Sequence, residues 1–188
     1  MEKIKSFIAK THIKDIVPYI VIFCIAAIIC QFFGMAIVSG QSMYPTYHDG
    51  DVLVYSKIPY ITGTPEVNDI AIMTMPEQIF GHKEQIIKRV VAVAGDTVEI
   101  KDNKFYRNGK EVKEEYINEL MNVEEYKNIG KYTLQENEIF VMGDNRNHSS
   151  DSRYFGPVPL EYVNSKVIFY NETFSNVMHT FYKFLGKV

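Results

Sequence analysis

Between Asp15 and Asp49 the chain has no Asp, Glu, Lys or Arg. That gap excludes an ordinary amphipathic surface helix, which keeps a polar face toward water. Cysteine is nearly absent: Cys24 and Cys30 are the only two, and both lie inside the uncharged run. Everything beyond residue 38 therefore has neither a disulfide nor a thiolate metal ligand and must be held by its core. A basic excess is missing too. The net charge is −3, which argues against a phosphate-tracking surface, so no nucleic acid partner is expected. No two of the five histidines are spaced to share a metal, and neither a metal nor a cofactor is expected. There is no internal repeat and no low-complexity tract.

What is present begins with apolar text. Ile16 to Val38 is 23 residues long, roughly 34 Å as a helix and enough for a hydrocarbon core of about 30 Å. Pro18 falls in its first turn, where a missing N–H costs least. The segment predicts a transmembrane anchor over 16–38. A cleavable secretory signal is the competing reading, because Val38-Ser39-Gly40 resembles a cleavage site, but the run exceeds the usual 7–15 residues. Lys3, Lys5, Lys10 and Lys14 precede it against Glu2 and Asp15. Positive flanks stay inside, so residues 1–15 are expected in the cytoplasm and 39–188 outside, on a single-pass protein of the cell membrane.

Beyond the anchor the chain reads as short strands. Val52–Tyr55, Asp69–Met73 and Ile86–Val93 are β-like. "TVEIKDNKFYRNGKEV" predicts three strands with turns at Asp102-Asn103 and Asn108-Gly109, the latter a strong hairpin signal. Residues 111–136 are charged and weakly patterned, and 97–137 is taken as a β insertion or flap. Ile139–Met142 and Lys166–Tyr170 are further strands. Phe174, Val177, Met178, Phe181 and Leu185 recur at helical spacing, for a helix packed on the sheet or, alternatively, lying in a membrane interface. The fold class expected is mainly β: an antiparallel body with a small β insertion, one N-terminal transmembrane helix and a short C-terminal helix. Asn147 and Asn171 open Asn-x-Ser/Thr matches, for which no glycosylation is expected.

Three stretches have unusual composition: "SGQSMYPT", "IIKRVVAVAGD" and "GDNRNHSSDSRYFGPVP". On a strand through Ile86–Val93, Lys88 and Arg89 point to opposite faces, and neither face is polar. Lysine suits the interior better because its amine loses its proton on burial. A neutral amine is a general base, and a nearby serine is what it could activate. A salt-bridged lysine on an edge strand is the plainer alternative. Spacing also leaves a Ser-His-Asp arrangement open, although His48, His82 and His148 stand in no setting that marks a base.

Together the three stretches resemble bacterial type I signal peptidase, a membrane-anchored serine protease, in its short Gram-positive-like form. The matching residues are Gly40 with Ser42-Met43-Tyr44-Pro45-Thr46, then Lys88-Arg89-Val90 to Gly95-Asp96. Gly143-Asp144-Asn145-Arg146 follows, with Ser149, Asp151-Ser152-Arg153 and Gly156. The resemblance implies removal of N-terminal signal peptides from exported preproteins by cutting after small residues, with those peptides and the lipid bilayer as partners. It makes Ser42 the nucleophile and Lys88 the general base. It gives Ser149 the task of orienting the lysine amine, and Asp151 with Arg153 that of a bracing ion pair. Asp144 and Arg146 fall in the same supporting loop, and Met43 becomes a wall of the substrate pocket. Where some relatives carry a serine hydroxyl toward the oxyanion, this chain has Gly40, which leaves the Ser42 N–H as the surest donor. Whether residues 73–80 touch lipid or pack is open at this stage. So is a soluble repressor-type Ser-Lys protein, though no DNA-reading segment precedes the serine. A peptide-binding β-domain that does not cut is a further alternative.

Overall fold

The computed structural model describes residues 13–122 and 129–186. The chain divides into two compact units, Met1–Gly34 and Met35–Val188. In the first, helix α1 (Ile13–Phe32) is twenty residues long. Lys14 and Asp15 lie in its opening turn, so its uncharged text is Ile16–Phe32, apolar but for Gln31 and about 25 Å of helix. Among the described residues no helix is long and apolar enough to cross a membrane. The helix also stops short of the expected boundary at Val38. Phe33–Ile37 is extended as strand β1, because its backbone groups are taken up by a sheet and Val38 is buried. The lysines at 3, 5 and 10 lie outside the described residues.

The second unit holds two sheets. The larger contains β1, β2 (Val52–Ser56), β3 (Ile70–Met75), β4 (Glu84–Ala92), β9 (Glu138–Met142), β10 (Val158–Pro159) and β11 (Val163–Phe169), in the order β1-β2-β11-β3-β4-β9-β10. The smaller contains β5 (Thr97–Lys101), β6 (Lys104–Arg107), β7 (Lys110–Glu111) and β8 (Ile129–Thr133), in the order β7-β6-β5-β8. The pairings of β2 through β11 are antiparallel, so the expected antiparallel body with a β insertion is what the chain forms. Asp102, Asn103, Asn108 and Gly109 all have positive φ, between 50° and 75°. The mirror-image turns these angles make match the twist of a tight hairpin. Strand β8, in the charged stretch, carries no strand signal of its own. It exists because β5 offers it an edge.

The side chains of Val91, Ala92, Phe140 and Met142 pack with Val98, Ile100 and Phe105, joining the small sheet to the large one. Met73 and Met75 are buried with Val90 and Val141, and Ile79 and Phe80 pack against that group. Met73, Met75, Ile79 and Phe80 are thus core and core margin, while Glu77 and Gln78 are exposed. Two short helices, α2 (Ile58–Thr62) and α3 (Glu77–Phe80), lie in loops of this sheet.

Helix α4 (Ser152–Phe155) is capped by the Asp151 side chain, and α5 (Glu172–Phe184) by Asn171, whose side-chain Oδ1 accepts the Phe174 N–H. α5 packs on the sheet through polar as well as apolar groups. The Ser175 hydroxyl accepts Val52 N–H at 2.9 Å and donates to Asp51 at 3.2 Å. Val177, Phe181 and Phe184 on the same helix stay exposed.

Candidate active site

Ser42 sits in the turn that follows β1, and the chain around it is tied down at each step. Val38 N–H donates to Asp51 O, and Gly50 N–H returns to Val38 O. Gly40 has φ +87°, the left-handed region glycine favours, and its N–H donates to Asp49 Oδ1 at 2.7 Å. Met43 turns inward and is buried with Val38, Tyr47, Leu53 and Ile70, which leaves the Ser42 hydroxyl toward the groove.

Lys88 comes from the middle of β4, opposite Ala71 of β3. Its Nζ lies 2.7 Å from Ser42 Oγ and donates to the Ile87 carbonyl at 3.1 Å. Only 5% of the residue is exposed. Burial is the main reason its pKa falls to about 8; Arg153 adds to the fall, while Asp151, Glu84 and Asp144 oppose it. An amine so placed reaches its neutral form at mildly alkaline pH, beside the one hydroxyl it can deprotonate. The hydroxyl's partner is a lysine and not a histidine: His82 lies by Glu84, and His48 by Asp51.

Arg89, the neighbour of Lys88, is sheltered as well. It grips Asp144 with Nε at 2.8 Å and Nη2 at 2.6 Å. Both basic residues of β4 therefore turn away from water, one to each face, as alternation requires. Thr46 also donates to Asp144, tying the nucleophile's turn to the same carboxylate.

The glycine-rich loop supplies the other wall. Asn145 N–H donates to the Ser42 carbonyl, and its side-chain amide donates to the Gln41 carbonyl, each at 3.0 Å. Gly143 has no room for a side chain: an added Cβ would run into Ser149 Oγ and the Ser42 carbonyl oxygen. Asp151 holds Arg153 through Nε and Nη2, both at 2.8 Å, and accepts Gly143 N–H at 2.9 Å. Arg146 donates through Nε to the Gly143 carbonyl at 3.0 Å and meets Glu114 with its two terminal nitrogens.

Ser149 lies against the space that Gly143 leaves open. Its hydroxyl is buried and makes no hydrogen bond, and the carbonyl of Ile87 takes the second bond of the lysine amine. The reason is local. Lys88 reaches back along its own strand, whose Ile87 carbonyl points to the side that β9 leaves open. Thr46 and Asn145 stand in the quoted motifs without a role, and sequence reasoning passes over Arg89 as a partner of Asp144, and Glu114 and Tyr116 altogether. For the last two the signal is masked by a run of ordinary-looking charge.

A groove of about 450 Å³ runs past this pair, lined by Ala36 to Met43 on one side and Glu84 to Lys88 on the other, with Phe80, His148 and Ser150. Met43 thus lines both core and groove. Of the residues of β4, only Arg89, Val90 and Ala92 pair with β9. The half of β4 from Glu84 to Lys88 has a neighbour on one edge alone. Among the described residues no group of three His, Cys, Asp or Glu is placed to hold a metal ion.

A β-body with a groove of mixed polar and apolar lining, a buried lysine against a serine and no histidine between them has the architecture of a serine hydrolase that uses an amine base. The family model "Signal peptidase, peptidase S26" matches residues 10–171. A probable signal peptidase I-1 of Synechocystis is 35% identical over 163 residues, covering 84% of this chain and 81% of that protein. Signal peptidase I of Bacillus caldolyticus is 34% identical, covering 81% and 87%. A crystal structure of a signal peptidase I from Enterococcus faecalis shares 31% identity over 56% of this chain and 97% of that one, with a TM-score of 0.45. The chain belongs to the signal peptidase family, peptidase S26, and is a serine peptidase of that kind.

Proposed function

We propose that the chain is a membrane-bound endopeptidase that removes N-terminal signal peptides from exported preproteins, with Ser42 as nucleophile and neutral Lys88 as general base. The observation that carries this reading is the 2.7 Å approach of Lys88 Nζ to Ser42 Oγ in a buried setting. Lys88 takes the Ser42 proton as Oγ attacks the scissile carbonyl. The resulting ammonium then protonates the leaving amine, and the C–N bond breaks to leave an ester on Ser42. The same amine, neutral again, draws a proton from water as the water oxygen attacks the ester; the ammonium then returns that proton to Ser42 Oγ as the ester C–O bond breaks and the new carboxyl end is released. The Ser42 N–H is the oxyanion donor; Gly40 supplies no hydroxyl to help it, a loss that elsewhere costs about 3 kcal/mol.

Substrate enters as an extended strand along Glu84–Lys88, where main-chain bonds set the register. Met43, Ile86 and Phe80 make the groove's apolar wall, and small side chains next to the cut fit against it. Asp144, Arg146, Asp151 and Arg153 brace the loop around this pair. The body is held at the bilayer by a single-pass anchor, N-terminus in the cytoplasm, as the lysines before residue 15 suggest. Confinement to that layer raises the effective concentration of peptidase and signal peptide.

The deciding experiment incubates detergent-extracted protein with a signal-bearing precursor, comparing wild type with Ser42→Ala, Lys88→Met and Lys88→Arg. All three variants are expected to be silent while folded. Cleavage retained by any of them overturns the assignment.

A further inference from the structure

The chain leaving β7 crosses the charged stretch of the insertion, and two of its side chains reach back to the glycine-rich loop. Glu114 meets Arg146 with both oxygens, at 2.5 and 2.6 Å, with side-chain exposures of 4% and 0%. The Tyr116 hydroxyl donates to Glu114 at 2.8 Å. Its ring faces two guanidinium groups, Arg89 at 3.9 Å and Arg146 at 5.9 Å. Burial, and then the Glu114 charge, push the Tyr116 phenol above its usual range, so it stays a neutral donor.

Each of those arginines is one step from the reacting pair. Arg89 follows Lys88 on β4. Arg146 holds the carbonyl of Gly143, and Gly143 lies against the Ser42 carbonyl with no room for a methyl group. Between them Asn145 donates to that same Ser42 carbonyl.

We infer that Glu114 and Tyr116 are positioning residues for the Ser42–Lys88 pair: a strap from the β insertion that sets, through Arg146 and Arg89, where the two reacting groups stand. The inference rests on reading that pair as nucleophile and base. A stabilising role alone accounts poorly for the arrangement. A buried ion pair contributes little beyond what packed apolar residues would, whereas two parallel charge-assisted bonds define an orientation sharply. Arg89, Arg146 and Arg153 are matched by Asp144, Glu114 and Asp151 around the site. Glu114 is the one of these carboxylates that comes from the insertion.

The test uses the full chain in detergent and a synthetic peptide with an apolar core and alanine at the first and third positions before the cut. Glu114→Gln, Glu114→Ala and Tyr116→Phe are assayed well below their melting temperatures, with rates counted per folded molecule. For Glu114→Ala kcat is expected to fall between about tenfold and a hundredfold. Glu114→Gln, which keeps a hydrogen bond, loses less. KM should stay within about twofold, since the lost interaction acts on the transition state. Tyr116→Phe, which keeps the ring against Arg89, is expected to lose about threefold in kcat.

A lowered melting temperature with unchanged kcat per folded molecule overturns the inference, because a purely structural strap would do just that. Should the Glu114 variants fail to fold, Tyr116→Phe and Tyr116→Leu carry the test. A larger kcat loss in the leucine variant at constant KM supports the strap, and wild-type kcat in both refutes it. Ser42→Ala and Lys88→Met run alongside. If those two still cleave, the underlying reading fails; if they are silent and the strap variants are fully active, only this inference does.

Discussion

Asp144 and Arg89 form a two-pronged ion pair in which the carboxylate is wholly buried and the guanidinium almost so. The pair fastens β4 just after Lys88 to the loop just after Gly143. Removing one partner strands the other charge. Asp144→Ala is therefore expected to cost about 3–5 kcal/mol, read as a lowered denaturation midpoint with unchanged slope. A loss under about 1 kcal/mol, the worth of an exposed pair, would show that the site is open to water.

The pH dependence of the rate follows from Lys88. With its pKa lowered to about 8 by burial, the amine is roughly one-tenth neutral at pH 7 and nine-tenths neutral at pH 9. kcat/KM for a precursor should rise about tenfold between those values, with a single acid-side inflection near 8. A rate already maximal at pH 5 contradicts the role given to the amine.

The same burial makes Lys88 a stability liability. Moving its pKa from 10.5 to about 8 corresponds to roughly 3 kcal/mol against the folded state wherever the amine is charged. The sign is definite. Below pH 8 both folded and unfolded chains hold the proton and the full cost is felt. Between about 8 and 10.5 the unfolded chain holds more protons, so stability climbs with pH. Lys88→Met should thus be inactive yet more stable than wild type at pH 7, by up to about 3 kcal/mol. Equal denaturation midpoints at pH 7 would count against a dry amine.

Gly143 offers a steric check. A methyl group there must push the Ser42 carbonyl or Ser149 aside, and overpacking of this kind costs about 1–3 kcal/mol. Gly143→Ala is expected to lower both the melting temperature and kcat. By contrast, Gly130→Ala, in the small sheet, meets nothing within 4 Å and should leave kcat alone. Equal activity in the two variants would remove the loop from the argument.

How far these relations can be read from sequence depends on range. The hairpins at Asp102-Asn103 and Asn108-Gly109 are legible because residues that tolerate positive φ sit between alternating strands. Lys88 is legible as an inward residue because neither face of its strand is polar. Residues that depend on a distant partner are not. β8 borrows its conformation from β5, and Glu114 in "KEEY" looks like solvent-facing charge until the fold brings Arg146 to it. The end of α1 at Phe32 is likewise invisible in composition, since Phe33–Val38 is as apolar as the helix and changes conformation only because β2 accepts it as a neighbour. The silent hydroxyl of Ser149 is of the same kind, for it turns on where the Ile87 carbonyl points.

The half of β4 left without a second neighbour has a cost beyond recognition. Bare strand edges template the joining of one molecule to another, so whatever admits an extended peptide also invites a copy of the protein itself. Glu84, at the outer end of that edge with its side chain 41% exposed, is a charged edge residue of the kind that discourages such joining.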